Sequence, residues 1–192
     1  MVNSGSSANL IMVAALRYIQ DSKFKLNPGD EIIVPAISWS TTYYPLQQYG
    51  LHLKFVDVNP LTLNYDLIAL SDAISDKTRA IMAVNLLGNS NDFDEIKRIT
   101  ANKNIILIED NCESLGATFK GKLTGTFGVM GSFSFFYSHH ISTMEGGMVL
   151  TDNEELYHLM LSIRSHGWTR DLPKKHTLLE LSERDPFTDS FN

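Results

Sequence analysis

The run Ile105-Ile106-Leu107-Ile108 leads straight into Glu109-Asp110, and that junction constrains the chain more than any other stretch. Four consecutive branched side chains leave no polar face, so an extended strand built from them must be covered on both sides. Other runs with strand character recur at 31–35, 53–58, 79–86, 131–137 and 147–151. Helical periodicity separates them at 6–19, 38–49, 66–74, 91–99 and 153–164, with Ser38 as the expected cap of the second helix. Pro28-Gly29-Asp30 and Gly50 supply turns, and Gly121 between Lys120 and Lys122 suggests a hairpin. Strands alternating with helices predict an α/β fold, a mostly parallel sheet with helices on both faces. Such sheets take ligands at the carboxyl ends of their strands. Asp110 and His139 both fall near such ends.

A chain of 192 residues with a 43% apolar content has room for one domain with a sizeable core. Its net charge of −6 argues against a nucleic-acid surface, which needs clustered Lys and Arg. The single cysteine, Cys112, excludes an intrachain disulfide and any zinc or iron–sulfur site built from several cysteines of this stretch. No apolar run reaches the roughly 18–20 residues that cross a bilayer. The first residues carry neither a basic nor an apolar leader segment, so the expected location is the cytoplasm. After Trp168 charged residues replace apolar anchors, and residues 171–192 are expected to form a loop or disordered tail.

Five places carry chemistry. The small-residue turn Asn3-Ser4-Gly5-Ser6-Ser7 opens a helix, where free N–H groups and the helix dipole favour an anion; an ordinary helix cap reads the same way. Trp39 offers a flat indole for stacking or for core packing. Asp110, at the end of an apolar strand, needs a partner for its carboxylate, either a protonated ring nitrogen or the N–H groups of a following helix. His139 and His140 lack the matching carboxylate or cysteine spacing of a metal site, so no metal is expected. An imidazole in a cleft suits general base work at neutral pH, and strand alternation would turn only one of the two histidines inward. Glu145-Gly146-Gly147 gives a turn with close backbone approach, and Glu145 is as readily a surface charge.

The string Ser134-Phe135-Phe136-Tyr137-Ser138-His139-His140-Ile141-Ser142-Thr143-Met144-Glu145-Gly146-Gly147 resembles the cofactor-lysine segment of the DegT/DnrJ/EryC1/StrS family of sugar aminotransferases. The family lysine position is taken here by His139. An imidazole can move a proton but has no primary amine to condense with an aldehyde. The resemblance runs from Asn3 to about Arg170. It implies the large domain of a fold type I enzyme dependent on pyridoxal phosphate (PLP), with a seven-stranded, mostly parallel sheet over residues 1–170. It also implies a small C-terminal domain that this sequence does not contain, and a homodimer with sites at the subunit interface. By the same resemblance Gly5, Ser6 and Ser7 match the phosphate turn, Trp39 the ring-stacking aromatic and Asp110 the pyridinium partner. Ser134, and Glu113 within Glu109-Asp110-Asn111-Cys112-Glu113-Ser114-Leu115-Gly116, are assigned to the cofactor.

A histidine at this position also occurs in a subgroup of the family, the 3-dehydratases of deoxysugar pathways. The string 135–145 and the later Arg164-Ser165-His166-Gly167-Trp168-Thr169-Arg170 carry that match. It implies a nucleotide-linked 4-keto-6-deoxyhexose as substrate, glutamate as amino donor, pyridoxamine phosphate as the reactive form and His139 as the base. The CDP-sugar branch adds an iron–sulfur cluster whose cysteines begin soon after that arginine segment, where this chain reads Asp171-Leu172-Pro173. Two other readings stand beside this one. An aminotransferase would draw its lysine from Lys120 or Lys122, and a non-catalytic relative would bind cofactor or sugar nucleotide without turnover.

Overall fold

The computed structural model describes residues 1–170 together with 172, 173 and 178. The expected tail 171–192 therefore lies outside the described residues apart from 172, 173 and 178. Five helices and eight strands follow in order: α1 (Gly5–Tyr18), β1 (Glu31–Pro35), α2 (Ser40–Gln48), β2 (His52–Val56), α3 (Leu67–Ala73), β3 (Thr78–Val84), α4 (Phe93–Thr100), β4 (Ile106–Asp110), β5 (Thr118–Phe119), β6 (Lys122–Leu123), β7 (Met130–Ser134), β8 (Gly147–Leu150) and α5 (Glu154–Arg164). None of these helices is long and apolar enough to cross a membrane.

Six strands form the main sheet in the order β2-β1-β3-β4-β7-β8, parallel except for the antiparallel β7–β8 pair. The six apolar runs of the sequence account for all of them. The seventh strand implied by the family resemblance is not found among the described residues: β5 and β6 pair only with each other. That hairpin turns at Gly121, and its Phe119 joins Phe127 against Phe93 of α4, with Phe93 and Phe127 stacked 4.1 Å apart.

Strand alternation divides the core into two layers. Ile32, Val34, Ala80, Met82, Ile106 and Ile108 meet α1, α2 and α5 on one face. Ile33, Ile81 and Ala83 meet α3 and α4 on the other. Helix starts follow the expected chemistry: Asp66, Asp92 and Asn153 cap α3, α4 and α5 through their side chains. The cap expected of Ser38 is absent. Trp39 holds the cap position of α2 with no side-chain bond, and the Ser38 hydroxyl lies 2.8 Å from that of Thr42. Strand β7 also stops at Ser134, three residues before the apolar run ends. There the chain leaves the sheet through a loop tied by Phe135 N–H to Gly146 O and Thr143 N–H to Phe135 O.

Glu109 joins two parts of this architecture. Its side chain is fully buried, and its carboxylate accepts N–H bonds from Gly125, Phe127 and Gly128 at 2.6, 2.6 and 2.7 Å. Burial pushes its carboxyl above the ordinary value, and those three N–H groups pull it back. The bonds fix the segment that delivers the chain into β7, next to β4 in the sheet. Glu109→Ala would leave three enclosed N–H groups without an acceptor, at about 1–3 kcal/mol each before relaxation. A urea denaturation midpoint should fall steeply in that variant and stay put in Glu95→Ala, whose carboxylate pairs with Arg98 on the surface.

Candidate active site

Strands β1, β3, β4 and β7 end on the same side of the sheet, and a cavity of about 480 Å³ opens there. Neighbours β2 and β3 lie on opposite sides of β1, which makes this the crevice where strand order reverses. Each strand end contributes to the wall: Ser38 and Trp39 after β1, Val84 and Leu86 after β3, Asp110 on β4 and Ser134 on β7.

Asp110 is nearly buried and heavily bonded. Its Oδ2 accepts from Asn9 Nδ2 at 2.9 Å and from the Thr42 hydroxyl at 2.8 Å, and its Oδ1 accepts the Cys112 N–H at 3.1 Å. The helix-cap alternative for this carboxylate is therefore not what the structure builds. Its partners are side chains of α1 and α2 plus one amide of the turn that follows β4. Cys112 lies beside it, and burial pushes the thiol up, assisted by the Asp110 carboxylate.

The α1 start forms the neighbouring wall. Ser4 accepts the Ser7 N–H at 3.0 Å, which closes the helix cap and uses Ser7 internally. Ser4, Gly5 and Ser6 line the cavity, whereas Ser7 faces away from it, in a separate groove with Leu10 and Tyr49. Of the turn residues expected to meet a phosphate, Gly5 and Ser6 line the cavity and Ser7 does not. Gly5 is forced to be glycine. A Cβ there would come within 2.6 Å of Ser134 Cβ and 2.8 Å of Cys112 Sγ, so the helix end rests directly on β7.

The remaining expected residues also gather. Trp39 lines the cavity while leaving 71% of its surface exposed, so its indole serves the mouth rather than the core. Glu113 lines it too, and its carboxylate accepts the Leu87 N–H at 3.1 Å. That bond steadies the 3-10 turn Leu86–Gly88, where Leu87 adopts a left-handed φ of 53°. His139 lines the cavity and His140 does not. The selection does not come from strand alternation, because 137–141 is a run of turns and bends, with the His139 N–H donated to Phe136 O at 3.0 Å. Glu145 completes that side.

Lys120 and Lys122 stand elsewhere. Lys120 pairs with Asp94, and the ammonium of Lys122 lies 4.7 Å from the centre of the Phe127 ring. No lysine is among the described residues that line the cavity. Nor do three or more His, Cys, Asp or Glu side chains cluster to hold a metal ion among the described residues. Asn9, Thr41, Thr42 and Cys112 belong to the wall as well, and the sequence reading did not single them out for it.

Comparison with known proteins agrees with this geometry. Residues 1–181 match the model of the DegT/DnrJ/EryC1/StrS aminotransferase family. The chain is 61% identical over 191 residues to a GDP-4-keto-6-deoxy-D-mannose 3-dehydratase of Escherichia coli O55:H7, covering all of this chain and 49% of that protein. The counterpart from Yersinia pseudotuberculosis is also 61% identical, with 48% of its length covered. A solved structure of the E. coli enzyme with bound hydrated PLP superimposes with a TM-score of 0.93 at 60% identity, over 100% of this chain and 49% of that one. The chain thus spans about half the length of the curated relatives it matches. A parallel sheet of this order, a carboxylate at the end of its central strand and a glycine-pinned helix start meeting β7 occur here in a chain matched by that family model through residue 181, and the chain belongs to the DegT/DnrJ/EryC1/StrS aminotransferase family.

Proposed function

We propose that this chain is the cofactor-binding part of a PLP-dependent 3-dehydratase acting on GDP-4-keto-6-deoxymannose, with glutamate as amino donor. One observation carries the reading: the cavity wall that holds Asp110 and the α1 start presents an imidazole, His139, and no lysine among its described residues. Identity of 61% to enzymes named for that reaction supports the substrate.

The residues present fit the cofactor. Gly5 and Ser6 offer helix-start N–H groups and a hydroxyl to a phosphate, with the Ser134 hydroxyl beside them. Asp110 has bonding capacity left on Oδ1, which has one recorded donor against two on Oδ2. That suits the proton of a pyridine nitrogen. The Trp39 indole at the mouth is free to lie against a flat ring. When bound, the cofactor supplies a carbonyl that exchanges an amino group with glutamate and a protonated ring that draws electrons away from the reacting carbon.

His139 then has one task, to take a proton from the carbon that carries the amino group while the C-3 hydroxyl departs as water. Atoms and electrons balance: glutamate is oxidised to 2-oxoglutarate and ammonia, and the sugar gains the two electrons in losing its C-3 oxygen. A lysine at 139 would have an amine able to compete for the carbonyl and return the system to amino transfer, a route closed to imidazole. The product is a 3,6-dideoxy ketosugar of the kind that precedes colitose in lipopolysaccharide O-antigens. The working form is a homodimer in the cytoplasm, its sites completed by the partner subunit.

His139→Lys should lower dehydration by a factor of about 100 or more, the usual contribution of a positioned base, while PLP stays with the protein through gel filtration. A ketosugar turnover assay that finds the parental rate would sink the role given to His139. Borohydride treatment of the PLP-loaded parent should attach no cofactor to any lysine. A tryptic peptide bearing reduced PLP on Lys120 or Lys122 would instead establish the aminotransferase reading.

A further inference from the structure

Resting on the cofactor reading above, we propose that Asn9, Thr42 and Ser132 are positioning residues for the ring-nitrogen partner, two hydrogen-bonded relays that lock the Asp110 carboxylate from behind. None of the three was assigned a role by the sequence, and all are enclosed, with exposures of 1%, 0% and 0%.

Proton counting fixes the direction of every bond. Asn9 Nδ2 lies 2.9 Å from Asp110 Oδ2 and 3.3 Å from Thr41 O. Both are acceptors, so the amide group facing them is the NH₂. Its Oδ1 is then the acceptor for the Ser132 hydroxyl at 2.6 Å. The first relay therefore runs from Ser132 on β7 through Asn9 on α1 to Asp110 on β4. Thr42 has one hydroxyl proton, and a carboxylate at 2.8 Å claims it. The Ser38 hydroxyl, also 2.8 Å away, must in turn donate to Thr42. The second relay runs from Ser38 through Thr42 to the same oxygen.

Both relays end on Oδ2. A third bond, from the Cys112 N–H, holds Oδ1 and completes a fixed carboxylate plane. Four elements contribute: α1, α2, β7 and the turn after β4. A carboxylate whose one oxygen is saturated and whose plane is fixed presents its other oxygen in a single place. Without the relays it would rotate about its last bond and meet a ring nitrogen in only a fraction of its orientations. The consequence belongs to binding and to the ring's electronic state, so it is readable without turnover.

The test uses the purified chain, PLP and four variants. Thr42→Val keeps the shape and removes the donor, Thr42→Ser keeps the donor, Ser132→Ala frees the Asn9 amide, and Asn9→Asp turns a carboxylate oxygen toward Asp110. Absorbance titration gives the PLP dissociation constant, and the band position of bound PLP reports protonation of its ring nitrogen. Thr42→Val should weaken binding about tenfold or more, the usual worth of a bond to a charged group, and shift the band. Thr42→Ser should stay within about threefold of the parent with its band unmoved, and Asn9→Asp should bind most weakly. Parental affinity and band in Thr42→Val overturn the inference, as does equal damage from Thr42→Ser, which would mark the site as mere packing. Should Thr42→Val not fold, Ser132→Ala decides in the same way, since it removes one hydroxyl a full residue away from the carboxylate. A parent that binds no PLP overturns the cofactor reading and this inference together, whereas a binding parent with indifferent variants overturns this inference alone.

Discussion

A carboxylate at the end of a central strand governs the arrangement of everything around it. Buried and unmatched it would cost several kcal/mol, so the surroundings must supply donors. Asp110 draws them from α1, α2 and the turn after β4. Those elements are far apart in sequence, and satisfying one side chain brings their ends to one place. The cavity is what remains between them. Its geometry is in this sense a by-product of electrostatic necessity: the helix start and the indole sit where they do because the elements bearing them converge on one anion.

Adjacent residues of β4 divide two tasks between the faces of the strand. Glu109 looks toward the 125–128 segment and binds three amides there, whereas Asp110 looks into the cavity. Period-two alternation makes the division possible, and two consecutive acids at the end of an apolar run are its trace in the sequence. A second polar layer lies behind. Asn85 and Asn111, just past β3 and β4, share a 2.7 Å bond, and Asn91 donates to Val84 O. Chain segments that leave the sheet at its functional edge are thereby tied to one another through amides rather than through apolar contact.

The strands were legible because continuous apolar runs have few other uses, and helix starts were legible at Asp66, Asp92 and Asn153, where a short acceptor stands just ahead of an apolar period. Errors arose where a local rule met a tertiary one. Phe135, Phe136 and Tyr137 have strong strand propensity, yet the turn that carries His139 begins there. Long-range bonds from Phe135 to Gly146 and Thr143 override propensity. Ser38 had the chemistry of a cap and was recruited by Thr42 instead. Among the residues that line the cavity, those with an evident chemical label were singled out in the sequence. Asn9 was not, because an asparagine in a helix looks unremarkable. A signal did exist: Gly5, Ala8, Asn9 and Met12 are the inward stripe of α1, and an amide in an otherwise apolar stripe needs an internal partner.

Val2 and Gly147 exchange both backbone bonds at 2.9 Å, and Gly147 cannot carry a side chain because Ser4 O occupies that space. The first residues of the chain are thus stitched to the strand that follows the histidine loop. Contacts so distant along the polymer close late, since the loop entropy of the long intervening segment must be overcome first. During synthesis the start of α1 acquires its final position only once β8 has emerged from the ribosome. Until then the Gly5 end of the helix has no fixed place beside β7.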